Sequence, residues 1–100
     1  MANFRSRELL KLAYQLDCML QLPGCEGGVG EPAHSNQPKH GKGMGIKSGD
    51  MWFVPACRSC HRELDQGKTM TRDEKRAAWD DAFLRAYEAL WERGLIKVAK

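Results

Sequence analysis

The chain lacks what a membrane or secreted protein would need. No apolar run in its 100 residues is long enough to span a bilayer. Met1-Ala2-Asn3-Phe4-Arg5 leads into a charged amphipathic segment, not a secretory signal, so a cytoplasmic location is expected. Internal repeats and low-complexity tails are missing too, which argues against a solenoid or a disordered array. Charge of one sign is scarce: the formal net charge is +3, so the overall balance says little about nucleic acid and its local distribution matters more. Cysteines number only four. In a reducing compartment they point to a metal, not to disulfides. Four thiolates around one Zn²⁺ would bring the net charge to about +1. One hundred residues fit one domain, whose modest core a metal staple would help materially.

What is present centres on Cys57-Arg58-Ser59-Cys60-His61-Arg62-Glu63-Leu64-Asp65. It comes after the apolar run Met51-Trp52-Phe53-Val54 and ends near Gly67, as a strand, a metal knuckle and a short helix from about Ser59 would. Cys57 and Cys60 have the spacing that grips one metal ion. His61 and Asp65 are four apart and project from one face of a helix. A second pair, Cys18 and Cys25, is separated by six residues, and the turn signal Pro23-Gly24 folds one towards the other. With Cys57 and Cys60 it completes a four-thiolate set for a structural zinc.

The flanks read as helices. Ser6 can cap a helix to about Asp17, with Glu8 in its first turn and Leu9, Leu12, Ala13, Leu16 and Leu20 on one face. Arg5, Arg7 and Lys11 are expected on its solvated side. Thr71-Arg72-Asp73-Glu74 is a capping box for a long helix to about Arg93, ending at Gly94. Trp79, Ala82, Phe83, Ala86, Leu90 and Trp91 give it a broad apolar stripe, and both tryptophans are expected in the core. Leu95, Ile96 and Val98 can cover the core's edge. Between the cysteine pairs, Pro32 to Ser35 reads as an extended piece pairing with a strand over Asp50 to Ala56. The residues between, Asn36 to Gly49, form a glycine- and lysine-rich loop whose backbone can approach a phosphate chain. His40 in that loop is expected to face solvent or touch a phosphate.

Taken in order, these stretches resemble the HNH nucleases, whose ββα-metal (His-Me finger) site is often built on a zinc-stapled frame. The likeness is carried by Ala33-His34-Ser35-Asn36, Gly41 to Asp50, Pro55-Ala56-Cys57-Arg58-Ser59-Cys60-His61 and Glu63 to Gly67. It is nearest to small phage- and prophage-encoded nucleases of this length, and covers roughly Cys18 to the C-terminus. The resemblance implies an α+β fold with a zinc-stapled, treble-clef-like ββα-metal core over about 18–67, flanked by the two helices. It implies a metal-dependent endonuclease hydrolysing phosphodiester bonds in DNA, linked to recombination or processing. His34 matches the general base, a residue type suited to take a proton from water near neutral pH. His61 matches the catalytic metal ligand. Many members have an acidic ligand before the base, where this chain has Ala33; Asp65, one turn after His61, can supply the carboxylate. Asp50 is the candidate supporting residue. The second metal would be Mg²⁺ or Mn²⁺, with Zn²⁺ or Ni²⁺ also compatible with a histidine ligand. Lys42, Lys47, Arg58 and Arg62 are candidates for neighbouring phosphates.

Two other readings use the same residues. A non-catalytic zinc module binding nucleic acid or protein would keep the four cysteines and tolerate loss of His34. Cys57-Arg58-Ser59-Cys60-His61 also fits c-type haem attachment, but that requires export and leaves Cys18 and Cys25 unexplained.

Overall fold

The computed structural model describes residues 3–99. Ser6 opens helix α1 (Arg7–Lys11), its hydroxyl accepting the Leu9 N–H at 3.1 Å. The helix expected to reach Asp17 is shorter: Leu12–Gln15 tightens into a 3₁₀ turn and Leu16 is extended. The cause is the pairing of the next two residues. Asp17 bridges to Val29, and the Cys18 N–H donates to the Gly28 carbonyl at 2.8 Å, so the chain must leave the helix axis to bring Cys18 inward. Leu9, Leu12, Ala13 and Leu16 still pack together, against Phe53 and Leu90. Leu20, beyond the helix, joins a second core around Val54 and Trp79.

Strands β1 (Glu31–His34) and β2 (Phe53–Ala56) pair antiparallel, with Glu31 opposite Ala56 and His34 opposite Phe53. This register sets Pro32 opposite Pro55. The pairing alternates from Ser35 N–H on the Trp52 carbonyl, so the prolines occupy a non-hydrogen-bonded pair where no N–H is required. β2 begins later than the sequence suggests. Trp52 N–H closes a turn onto Gly49 O at 2.9 Å, which diverts Asp50 and Met51 from the ladder and leaves only the Trp52 carbonyl paired with Ser35. Gly30 enters β1 so close to β2 that an added Cβ would lie 2.6 Å from the Pro55 Cβ.

Helix α2 (Arg58–Gln66) starts directly after β2, and α3 (Arg72–Glu92) starts at the capping box, whose two bonds measure 2.8 and 3.1 Å. Trp79, Ala82, Ala86 and Leu90 bury one face of α3, and the Trp79 indole donates to the Ala33 carbonyl of β1 at 3.2 Å. Trp91 departs from expectation: it is 41% exposed, because the core ends at Leu90 and the chain turns back there, Leu95 N–H on Leu90 O. Leu95 and Ile96 cover the core edge, while Val98 stays exposed. The outcome, among the described residues, is an α+β fold of three α-helices and a two-stranded antiparallel sheet. No helix among the described residues is long and apolar enough to cross a membrane.

Candidate functional site

The four thiols converge. Pro23-Gly24 makes the turn that does it: Gly24 takes φ +85°, and the Cys25 N–H returns to the Leu22 carbonyl at 2.9 Å. Sγ atoms of Cys18, Cys25, Cys57 and Cys60 all lie within 4.8 Å of one another, with Cys25 at 3.7 Å from Cys18 and 3.9 Å from Cys57. Tetrahedral bonds of about 2.3 Å to zinc set sulfurs roughly 3.8 Å apart, so the set can hold one such ion. Backbone N–H groups of Leu22, Gly27 and Cys60 point at the sulfurs of Cys60, Cys25 and Cys57 at 3.3–3.5 Å, as thiolate ligands require. Burial works against the Cys57 thiolate, but the N–H groups of Cys60 and Glu26 outweigh it and bring that thiol down to about 6. Burial pushes the Cys60 thiol up, a cost that a bound cation would offset. Cys57 also caps α2, so the cluster fixes where that helix starts.

From this anchored helix His61 and Asp65 face a cleft of about 350 Å³ that also receives His34 from β1 and Lys42, Lys47 and Ser48 from the loop. Each histidine is held by carboxylates. His34 Nε2 lies 2.8 Å from Asp50 Oδ1. Asp50 is buried, and also accepts from Ser6 N–H at 2.7 Å and Arg5 Nη1 at 3.1 Å. Burial alone would raise its carboxyl; the hydrogen bonds from His34, Ser6 and Arg5 outweigh it and hold Asp50 below the ordinary value. An ionised Asp50 only accepts, so it fixes the proton of neutral His34 on Nε2 and leaves Nδ1 with a free lone pair.

His61 is set differently. Its Nε2 lies 3.3 Å from Asp65 Oδ2, and its Nδ1 lies 2.9 Å from Glu31 Oε1. The Asp65 hydrogen bond, with Glu31 behind it, raises the His61 pKa against the opposing effect of burial. Asp65 is held below its ordinary range by His61 and by the Asn36 amide at 2.9 Å, although burial opposes this. Two ligand atoms on one ion at bonds of about 2.1 Å sit roughly 3.0–3.4 Å apart, so His61 Nε2 and Asp65 Oδ2 fit a divalent cation in place of the shared proton. Glu31 would then be the outer carboxylate that fixes the ring, an arrangement common behind histidine ligands.

The loop is anchored at its first half. His40, expected in solvent or on a phosphate, stacks on Trp52 with ring centroids 4.3 Å apart, and its Nδ1 lies 2.6 Å from Ser35 Oγ. Burial, with Lys39 nearby, lowers its pKa, as a stacked neutral ring requires. Gln37 and Lys39 both reach Asp80 of α3, at 2.7 and 2.9 Å. The second half is strapped by the N-terminal segment: the Asn3 amide donates to the carbonyls of Gly41 and Lys47, and Arg5 to those of Lys47 and Ser48. Arg5 is therefore an ion-pair partner of Asp50 while its side chain stays 43% exposed.

Of the residues singled out from sequence, His34, His61, Asp65, Lys42 and Lys47 line one cleft, with Asp50 directly behind His34. Arg58 and Arg62 do not line it. Arg58 is exposed in the first turn of α2, and Arg62 faces a different cavity beside Pro23 and Gln66. Sequence reasoning gives no role to Glu31, Asn36 or Ser48, although Asn36 and Ser48 lie within stretches that carry the resemblance. Comparison with family models, curated proteins and solved structures returns no match to the chain.

Asp50 supplies a stability test. A carboxyl with a lowered folded pKa contributes fully above the unfolded value of about 3.9, and that contribution is lost as pH falls through the folded pKa. Asp50→Asn should cost about 1.5–3 kcal/mol at neutral pH, the usual worth of hydrogen bonds to a charged group. Urea unfolding should show the gap between wild type and variant closing as the solution is acidified below that range.

Proposed function

We propose that the chain is a metal-dependent endonuclease of the HNH type, hydrolysing phosphodiester bonds in DNA. One observation carries the reading: a single cleft gathers a histidine held through Nε2 by a buried carboxylate, a histidine–aspartate pair spaced for a cation, and two lysines. A phosphate entering the cleft would meet Lys42 and Lys47. His34 Nδ1 would take the proton of the attacking water, with Asp50 holding the ring and stabilising the imidazolium that forms. A divalent ion on His61 and Asp65, Mg²⁺ or Mn²⁺ foremost, would stabilise the charge developing on the phosphate and the leaving oxygen. The four-cysteine cluster, with zinc as its ion, would keep α2 and so His61 in place.

The test is cleavage of supercoiled plasmid and of circular single-stranded DNA by the zinc-loaded protein, across a screen of divalent metals with a chelator control. Cleavage with at least one metal, abolished by chelation, is expected. No cleavage of either DNA with any metal would favour the non-catalytic zinc module.

The metal pair and the lysines can each be tested by substitution. Isothermal titration should show that His61→Ala weakens binding of the second metal more than Glu31→Gln, which weakens it about 10–100-fold, the typical effect of removing a ligand's outer carboxylate. Lys42→Ala with Lys47→Ala should weaken DNA binding with little sequence dependence. The salt slope should flatten by about 0.9 for each duplex phosphate no longer neutralised. An unchanged slope would place the phosphates elsewhere, with Arg7 the next candidate beside the His34–Asp50 pair.

A further inference from the structure

We propose that the cleft continues across Asn36 into a second subsite that takes an unpaired nucleotide, so that the substrate is single-stranded, flapped or splayed DNA. This rests on the endonuclease reading and names its substrate class. Asn36 is the link: it lines both the His34–His61 cleft and a separate cavity of about 410 Å³ between α2, the 67–71 connection and α3. That volume lies within the roughly 300–1,000 Å³ of ligand-sized sites.

The second cavity has two kinds of wall. Its rim carries Lys68, Arg72 and Arg76, and among the described residues none of these three pairs with a carboxylate within 4.0 Å. Of the acids nearby, Glu74 is held in the capping box, Asp80 by Gln37 and Lys39, and Asp65 by His61 and Asn36, while Glu63, against Gly67, and Asp73 pair with none of the three cations. Its floor is apolar, made by Met70 with the edges of Leu64 and Trp79. A groove for phosphates alone has no use for that floor. An apolar docking groove has no use for three uncompensated cations. A nucleotide uses both, the base on the apolar surface and the phosphates on the rim. Bases of intact duplex are stacked inside the helix and would have to be extruded to reach such a cavity, a cost that unpaired DNA avoids.

The experiment reads binding, without added divalent metal, so that no cleavage intervenes. Fluorescence anisotropy compares oligothymidine with a blunt duplex of equal length on the zinc-loaded full chain. Wild type should bind the single strand about tenfold more tightly, the scale of one base stacked on a protein surface. Arg72→Ala with Arg76→Ala should lose most of that preference, and the single-strand salt slope should flatten by about 0.7 for each phosphate no longer neutralised. Met70→Ala should lower single-strand affinity severalfold and leave the slope unchanged. Equal affinity of wild type for the two DNAs would overturn the subsite. So would a double arginine variant that keeps the preference, or full single-strand affinity in Met70→Ala. If single-strand preference holds but no metal supports cleavage of any DNA, the subsite stands and the nuclease reading falls.

Discussion

With zinc as the ion of the four-cysteine cluster, Cys60→Ser is expected to strip it and lower the melting temperature by at least about 20 °C. Structural zinc in small modules contributes roughly 10–16 kcal/mol to folding, against a typical domain stability of about 5–15 kcal/mol. In this chain the cluster also ties the segment between α1 and β1 to α2, beside the Met19 N–H on the Pro55 carbonyl and the Ser59 hydroxyl on the Gly24 carbonyl. Cys18 and Cys25 lie in irregular backbone between α1 and β1, and Cys57 caps α2. Cys60 is fully buried, however, so its replacement would cost something even without a metal. Cys25→Ser separates the two effects. Cys25 is exposed, and an unligated exposed thiol exchanged for a hydroxyl should change stability by no more than about 0.5 kcal/mol. A ligand exchanged for a hydroxyl should instead reproduce most of the Cys60→Ser defect. Elemental analysis with thermal unfolding by circular dichroism decides it. A Cys25→Ser protein with full zinc and an unchanged transition would mean that the four thiols do not act as one site.

What can be read in the sequence is local. Cys57 and Cys60 are three apart at a helix start, and His61 and Asp65 are one turn apart, so their pairing is written in the spacing and appears in the structure. The capping box at Thr71 is equally local and sets α3 within a residue of expectation. The departures come from partners distant in sequence. The helix after Ser6 has the right apolar period, yet it stops at Lys11 because Asp17 and Cys18 are claimed by Val29 and Gly28. Glu31 meets His61 only once β1 has paired with β2 and α2 has folded back, thirty residues on. Asn36 reaches Asp65 across a similar gap. His40 reads as a loop side chain because its stacking partner, Trp52, lies on the far side of the glycines. Arg62 misses the cleft for a simpler reason: it sits one position beyond His61, so it turns about 100° away from the face that carries His61 and Asp65.

His34→Ala should reduce DNA cleavage by about two to four orders of magnitude, the usual worth of a positioned base, and leave the fold and the zinc in place. The structural cost should be small. Asp50 would lose one hydrogen bond but keep those from Ser6 and Arg5, and the β1–β2 ladder uses none of the His34 side chain. A loss of about 1.5 kcal/mol, the low end for a hydrogen bond to a charged group, is therefore expected, too little to unfold a domain of ordinary stability. DNA binding should change little, since the imidazole is assigned a proton and not a phosphate. Chemical rescue distinguishes a base from a residue that merely shapes the cleft. Removing the ring opens space between Asp50 and the cleft, and free imidazole added to the variant can occupy it, with one nitrogen on the carboxylate and the other towards water. Single-turnover cleavage by His34→Ala should rise with imidazole concentration and saturate, whereas His61→Ala should respond to excess Mg²⁺ or Mn²⁺ and not to imidazole in this way. A His34→Ala protein that cuts as fast as wild type would remove the base from the mechanism. Loss of cleavage with no imidazole response, together with weakened DNA binding, would make His34 a contact residue and shift the reading towards a zinc module that holds nucleic acid without cutting it.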